Sequence, residues 1–142
     1  MADSEAITFS AGTMDDLAQI QSFLRPFMEA KFLLERTEQE LITLLTHSYV
    51  ARKEHEVVGF GAVEIYSKKL AEIQCLAVSP TVQRQGVGRA IVKYCVNVAR
   101  ENKVKELMAI SATDAMFLAC GFDYSLNKKR ALFISPMDES DR

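Results

Sequence analysis

The chain has 142 residues, a net charge of -2, 49% hydrophobic residues and 25% charged residues, which is the composition of one globular domain. Without a basic stripe it gives no reason to expect a nucleic-acid partner, and no apolar run approaches the roughly 20 residues of a membrane span. The acidic start at residues 1–5 and three cysteines without a CxxC spacing favour reduced thiols and a cytoplasmic location. We therefore expect a single domain over residues 1–142 that needs neither a membrane nor a metal to fold.

Hydrophobic periodicity predicts a strand and two helices in the first third of the chain. Residues 6–10 alternate apolar and polar side chains, as a half-buried strand does. A helix should follow, and Pro26 should kink or end it. Its buried stripe is predicted at Leu17, Ile20, Leu24 and Phe27. Residues 37–40, Thr-Glu-Gln-Glu, form a capping box and predict the start of a second helix.

Strands and helices alternate in the rest of the chain. Two strands are predicted over residues 48–53 and 57–66, and β-branched side chains favour the second. Gly59 and Gly61 within the second strand indicate a bulge or the close approach of another element. The later elements are a strand, a helix and a strand over residues 70–78, 86–101 and 105–111, and then a short helix that Thr113 caps and that ends at Gly121. A last strand lies within residues 122–134 and is broken at residues 127–129. The order β-α-α-β-β-β-α-β-α-β predicts an α/β (α+β) fold, with a mixed, mostly antiparallel sheet of about six strands and helices on both faces.

A glycine-rich loop joins the fourth strand to the long helix. Residues 83–88 read Gln-x-x-Gly-x-Gly, directly after a strand that ends Leu-Ala-Val-Ser-Pro. Glycines let the backbone come close to a ligand, and the first N–H groups of a helix favour an anion. The loop lacks the Gly-Lys-Ser/Thr of a P-loop, and Ile91 stands where a dinucleotide fingerprint needs a third glycine. A phosphate ligand of another kind is indicated; the alternative is a strand-to-helix turn that binds nothing.

This strand and loop resemble those of the GNAT superfamily of acyl-CoA-dependent N-acetyltransferases, and the resemblance extends over residues 7–134. It implies the GNAT fold and acetyl-CoA as cosubstrate, with no metal. The fourth and fifth strands should splay apart around the pantetheine arm, which would pair with amides of Leu76 and Val78. The Leu76 N–H would also polarise the acetyl carbonyl. The resemblance places the coenzyme site at Leu76, Ala77, Val78, Arg84, Gln85, Gly86, Val87, Gly88, Arg89 and Phe117.

Two residues are candidates for proton transfer. Glu72 lies in an apolar strand beside the expected thioester and is predicted to take the proton of the amine; the alternative is a solvent-facing glutamate. Residues 117–122 resemble the GNAT motif Tyr-x-x-x-Gly-Phe, but Phe117 replaces the tyrosine that protonates the leaving thiolate in many members. In the branch of the N-acetylglutamate synthases, a hydroxyl at the end of the fifth strand is placed as the acid. Ser111 stands there, and its alternative is a turn serine before Thr113.

The acceptor is predicted from a further likeness to that branch, which carries out the first step of arginine biosynthesis. Residues 24–27 and 33–37 resemble its Arg-Pro and Leu-x-Arg-Ser/Thr patterns, and residues 129–130 resemble its basic pair. Because Arg grips a carboxylate bidentately, Arg36 and Arg130 are predicted to clamp glutamate, with backbone contacts from Leu34. The alternative is two surface arginines.

The sequence therefore predicts transfer of acetyl from acetyl-CoA to the α-amine of glutamate, by direct attack, in a short stand-alone form of the synthase domain. A small-molecule amine, in particular an acidic amino acid, is the expected partner, and a homodimer is compatible with the sequence. One alternative is acetylation of another small amine or of a protein N-terminus. Another is a non-catalytic subunit or sensor that binds acetyl-CoA.

Overall fold

The structure, a computed structural model, describes residues 6–137, so the acidic start at residues 1–5 lies outside the described residues. A five-stranded sheet is its central element. The strands are β1 (Ile7–Ala11), β2 (Ser48–Lys53), β3 (Glu56–Ile65), β4 (Leu70–Val78) and β5 (Glu106–Met108). They lie side by side in chain order. The first four form an antiparallel meander, and β5 pairs parallel to β4.

Helices cover both faces of this sheet. They are α1 (Leu17–Glu29), α2 (Glu38–Leu44), α3 (Val87–Glu101) and α4 (Ala115–Ala119), with single 3-10 turns at Met14–Asp16, Leu45–His47 and Pro80–Val82. The apolar side chains of α1 and α2 pack against Phe60 and Ala62 of the sheet. Those of α3, together with Phe117 of α4, pack on the opposite face against Val63 and Ile73. The predicted mixed sheet with a helical layer on each side is confirmed.

The predicted start of α2 is confirmed in detail. The Thr37 hydroxyl accepts the Glu40 N–H at 3.1 Å, and the Glu40 carboxylate accepts the Thr37 N–H at 2.8 Å. These two bonds satisfy donors that a helix start leaves without an internal partner. By contrast, Pro26 does not end α1, which continues to Glu29. The missing proline N–H removes one bond, but the Ala30 N–H still bonds the Pro26 carbonyl and closes the last turn.

The last third of the chain departs from the prediction. β5 is shorter than residues 105–111 because it pairs with β4 over three residues only, and Asp114, not Thr113, caps α4. The last strand is instead a separate hairpin of β6 (Ser125–Leu126) and β7 (Lys129–Arg130). Its turn residues, Asn127 and Lys128, have φ angles of 54° and 65°, as a tight two-residue hairpin turn requires. The main sheet therefore has five strands rather than six.

Two glycines of β3 let α3 lie close to the sheet. A Cβ on Gly59 would come within 2.8 Å of Val87 Cγ1, and one on Gly61 within 2.5 Å of Ile91 Cγ2. Side chains at these positions would therefore push α3 outward. The close approach predicted from these glycines is confirmed, and it fixes where the first turn of α3 lies relative to the strands.

A bulge interrupts β4 opposite Gly61. Phe60 pairs with Ala77 and Ala62 pairs with Gln74, so Cys75 and Leu76 together face the single residue Gly61. Cys75 has a φ of 57°, the left-handed conformation that glycine usually adopts as the first residue of a G1 bulge. Gln74 and Cys75 thus point to the α1/α2 face in succession, which a regular strand does not allow.

Candidate active site

A cleft opens where β4 loses its neighbour. β4 pairs with β5 only over residues 70–72, yet it continues to Val78. The space between the diverging chains is a cleft of about 1680 Å³. Its walls include Leu76, Ala77 and Val78 on one side and residues 109–113 on the other. The splay of the fourth and fifth strands that the family resemblance implies is therefore present.

The glycine loop and the start of α3 form one end of the cleft. Gly86 has a φ of 81° and stands as the N-cap of α3, and a Cβ there would meet no atom within 4 Å. The first helical bond of α3 runs from the Ala90 N–H to the Gly86 carbonyl. The N–H groups of Val87, Gly88 and Arg89 consequently have no acceptor within the helix. They lie at the positive end of a 15-residue helix, where an anion is stabilised.

Most residues expected to hold the coenzyme line this cleft. The lining members are Leu76, Ala77, Val78, Arg84, Gly86, Val87, Gly88, Arg89 and Phe117. Gln85 is exposed on the loop and is not part of the cleft wall. The Phe117 ring is buried and meets Phe122 edge to face, with 5.4 Å between ring centroids. It therefore contributes an apolar wall where many family members have a phenol.

A chain of polar side chains lines the cleft on the α1/α2 face. Arg36 Nη2 donates to Gln74 Oε1 at 2.5 Å. Gln74 Nε2 donates to Glu64 Oε1 at 3.1 Å and to the Tyr66 oxygen at 3.2 Å. The Tyr66 hydroxyl donates to Glu72 Oε1 at 2.6 Å. Glu72 is thus a partly buried residue of the cleft wall.

Sequence reasoning missed Glu64, Tyr66 and Gln74. The available signal was the β3–β4 hairpin, in which Glu64 stands directly opposite Glu72. Residues two positions along each strand share that face, which gives Tyr66 and Gln74. Finding them required the register of the hairpin, because composition alone does not mark them.

The electrostatics of the network keep the Tyr66 proton in place. Burial, the hydrogen bond to Glu72 and the charges of Glu72 and Glu64 raise the pKa of Tyr66 to about 12. Its phenol is therefore protonated, and a donor, throughout the neutral range. Burial also raises the pKa of the Cys75 thiol, although the Arg36 guanidinium opposes the shift. The thiol is a packing group beside the cleft and not a thiolate nucleophile.

Arg36 retains unused donors. Its side chain is 18% exposed, and its Nη1 lies 3.9 Å from Glu40 Oε2, too far for a hydrogen bond. Its Nε is buried and has no hydrogen-bond partner among residues 6–137. An unpaired buried donor is costly, so this guanidinium can gain from an added acceptor. The Leu34 side chain, exposed at the cleft, lies nearby in the segment before α2.

Ser111, the predicted acid, and Arg130, the predicted second cation of the substrate clamp, lie outside this polar network. Ser111 lines the cleft, but its hydroxyl donates to the Thr113 carbonyl at 2.7 Å and accepts the Thr113 N–H at 3.0 Å. That is the turn geometry the sequence left as its alternative. Arg130 is exposed on β7 and is not part of the cleft wall. The structure therefore does not bring Arg130 together with Arg36.

Residues 6–137 also bear on a membrane or metal-binding role. Within this range no helix has both the length and the apolar character required to cross a bilayer. No three His, Cys, Asp or Glu side chains of the same range are grouped so that they could hold a metal ion.

The cleft, the glycine loop and the sheet define a class of protein. Residues 14–122 match the sequence model of the acetyltransferase (GNAT) family, a span that includes α1, the whole cleft wall of β4 and the loop before α3. The chain belongs to this family of N-acetyltransferases.

The chain is also similar to individual proteins, in sequence or in fold. The chain is 28% identical over 109 residues to the amino-acid acetyltransferase of Neisseria meningitidis serogroup A, covering 75% of this chain but 25% of that protein. The fold is similar to that of Rv2747 from Mycobacterium tuberculosis in complex with CoA, with a TM-score of 0.76 at 24% identity, over 94% of this chain and 77% of that one. It is also similar to N-acetylglutamate synthase from Neisseria gonorrhoeae complexed with coenzyme A and N-acetyl-glutamate, with a TM-score of 0.71 at 24% identity. That match covers 80% of this chain and 27% of the synthase.

The Tyr66–Glu72 bond predicts a titration that needs no substrate. Replacing Glu72 by Gln removes the negative charge, so the pKa of Tyr66 should fall from about 12 toward its ordinary value of 10.0. Tyrosinate absorbance measures this as the difference between each protein and its Tyr66→Phe derivative. Glu56→Gln, an exposed change on β3, should leave the titration unaltered. An unchanged Tyr66 pKa in Glu72→Gln would show that the two side chains do not interact.

Proposed function

We propose that the chain transfers acetyl from acetyl-CoA to the α-amine of glutamate. One observation carries the proposal: a single cleft joins unpaired N–H groups at the start of α3 to a carboxylate, Glu72, and a guanidinium with free donors, Arg36. The N–H groups suit a pyrophosphate, Glu72 suits an amine, and Arg36 suits a carboxylate. The likeness to an amino-acid acetyltransferase and to a synthase complexed with N-acetyl-glutamate supports the same acceptor.

Acetyl-CoA, the proposed cosubstrate, supplies the acetyl group as a thioester. Its pyrophosphate would accept hydrogen bonds from the loop and from the N–H groups of Val87, Gly88 and Arg89, with Arg84 adding positive charge. The free edge of β4 at Leu76 and Val78 offers backbone groups to the pantetheine amides, as a neighbouring strand would. Leu76 lies in the bulge, outside the regular pairing with β3. Its N–H is therefore our candidate to polarise the acetyl carbonyl.

Glu72 is the proposed base. The substrate ammonium must lose a proton before its lone pair can attack the carbonyl carbon. Tyr66 occupies Glu72 Oε1, which leaves Oε2 to take that proton. The amine would then form the C–N bond, the C–S bond would break and the thiolate of coenzyme A would leave, and the second proton of the attacking nitrogen would be lost to water. Ser111 stays the predicted acid, although a thiolate leaves without one and the Ser111 hydroxyl is engaged in its turn.

Arg36 is the proposed site for a substrate carboxylate. Its Nη1, which Glu40 Oε2 approaches only to 3.9 Å, is the donor offered to a carboxylate, and such charge-assisted hydrogen bonds are strong. Leu34 would add backbone contacts. Arg130 remains the predicted second cation, but the proposal rests on Arg36, which lines the cleft.

A thiol-release assay with acetyl-CoA tests the function directly. Each of the twenty amino acids and a polyamine would be offered as acceptor, and we expect glutamate to give the highest kcat/KM. Turnover of the polyamine without turnover of glutamate would reject the substrate. Tight binding of acetyl-CoA with no turnover of any amine would instead support a sensor or non-catalytic subunit.

Glu72→Gln should lower kcat by a factor of about 10² to 10⁴. The amide keeps the size of the side chain and can still accept the Tyr66 hydrogen bond, so the change removes the base alone. Steady-state kinetics at neutral pH measure it. The matched control is Glu106→Gln, an exposed site on β5, which should keep full activity. Equal rates for Glu72→Gln and wild type would remove Glu72 from the mechanism.

Arg36→Ala should raise the KM for glutamate, with a modest loss of kcat, because it removes a contact made in both ground and transition states. Arg100→Ala removes the same charge from an exposed position in the last turn of α3, outside the cleft, and should leave KM unchanged. Amine substrates that lack either the side-chain carboxylate or the α-carboxylate provide a further test of this contact. If Arg36→Ala weakens them as much as glutamate, Arg36 does not bind a carboxylate.

A further inference from the structure

Gln74 is a buried amide that the proposed chemistry does not itself use. It is 7% exposed, and burying an amide is unfavourable unless it is hydrogen-bonded. Gln74 makes three such bonds, to Arg36, Glu64 and Tyr66. It is therefore fully engaged at the centre of the network on the cleft wall.

The chemistry of its partners fixes the orientation of the Gln74 amide. A guanidinium can only donate, so the Gln74 oxygen must face Arg36. An ionised carboxylate can only accept, so the Gln74 nitrogen must face Glu64. The remaining N–H of that nitrogen points at the Tyr66 oxygen, and the phenol proton is left for Glu72. The direction of each hydrogen bond between Arg36 and Glu72 is consequently fixed.

We propose that Gln74 is a positioning residue that holds the acceptor's carboxylate site, Arg36, and the base, Glu72, at one fixed separation. On the Arg36 side it occupies Nη2 and leaves Nη1 for the substrate. On the other side it acts through Tyr66, whose proton occupies one Glu72 oxygen and leaves the other free. An acceptor whose amine and carboxylate match that separation is selected. This inference rests on the proposed function for its substrate and on the hydrogen bonds for its geometry.

Three variants separate this role from simple packing. Tyr66→Phe removes the bonds from Tyr66 to Glu72 and to the Gln74 N–H but keeps the bond between Gln74 and Arg36, so kcat should fall by a factor of about 10 while the acceptor KM stays constant. Arg36→Lys replaces the guanidinium at the carboxylate site and its bond to Gln74 but keeps the bonds from Gln74 through Tyr66 to Glu72, so the acceptor KM should rise. Gln74→Leu frees both ends at once and should change both parameters, each by a factor of about 10 to 100, with the KM for acetyl-CoA unaltered. A Gln74→Leu enzyme that changes one parameter alone, or neither, would overturn the proposal.

Gln74→Glu supplies a rescue that packing does not predict. A protonated carboxyl has one donor and one acceptor and so replaces part of the amide, whereas an ionised carboxylate repels Glu64. The kcat/KM of Gln74→Glu relative to wild type should therefore rise as pH falls, and that of Gln74→Leu should not. The charged and titratable groups near this position are Arg36, Glu40, Glu64, Tyr66, Glu72 and Cys75. A flat ratio for Gln74→Glu would contradict the assigned donor order.

A substrate-free measurement distinguishes failure of this inference from failure of the proposed function. The Gln74 N–H stabilises the ionised Tyr66 oxygen and lowers its pKa. In Gln74→Leu the tyrosinate absorbance assigned to Tyr66 at a fixed alkaline pH should therefore decrease. An unaltered absorbance would refute the Gln74–Tyr66 bond, whatever the enzyme acetylates. A decreased absorbance in a protein that proves inactive on glutamate would retain the network and reject only the substrate. Thermal melting of each variant confirms that it is folded.

Discussion

The separation of β4 from β5 after Glu72 is the constraint on which the rest of the molecule depends. Three residues of each strand pair with each other. Beyond them, β4 has no neighbouring strand on the β5 side. Backbone groups on a free strand edge need partners, and an extended molecule with amides of its own supplies them. The cleft is therefore a cavity that is lined by backbone groups of β4 without a partner in β5.

The cleft connects the two faces of the sheet, and each face contributes different chemistry. On the α3 side, Gly59 and Gly61 let the helix pack closely, which brings its first N–H groups to the end of the opening. On the α1/α2 side, the polar network from Arg36 to Glu72 provides charges and a proton acceptor. The proposed cosubstrate would thus lie with its phosphates on one face and its reactive end near the other, where we place the acceptor.

Local signals in the sequence predicted the elements whose causes are local. The capping box at Thr37, the glycines of β3 and the strand-loop-helix around Gly86 each depend on neighbouring residues, and the structure has all three. The resemblance to a family supplied the fold and most of the cleft lining. The Gln74 network was missed because it depends on the register between β3 and β4. The break at residues 127–129 was predicted, but its role as the turn of a separate hairpin was missed, because the flanking residues also suit a strand of the main sheet.

The bulge at Cys75 has a consequence for how this chain can vary. Without that residue, Leu76 would face Gly61 alone, and the pairs Phe60–Ala77 and Ala62–Gln74 would remain in a regular ladder. A bulge bends its strand and increases the local twist, so a shorter β4 would lose a bend at the point where it lines the cleft. One residue of β4 thus shapes the wall of the opening without belonging to the ladder that holds the meander together.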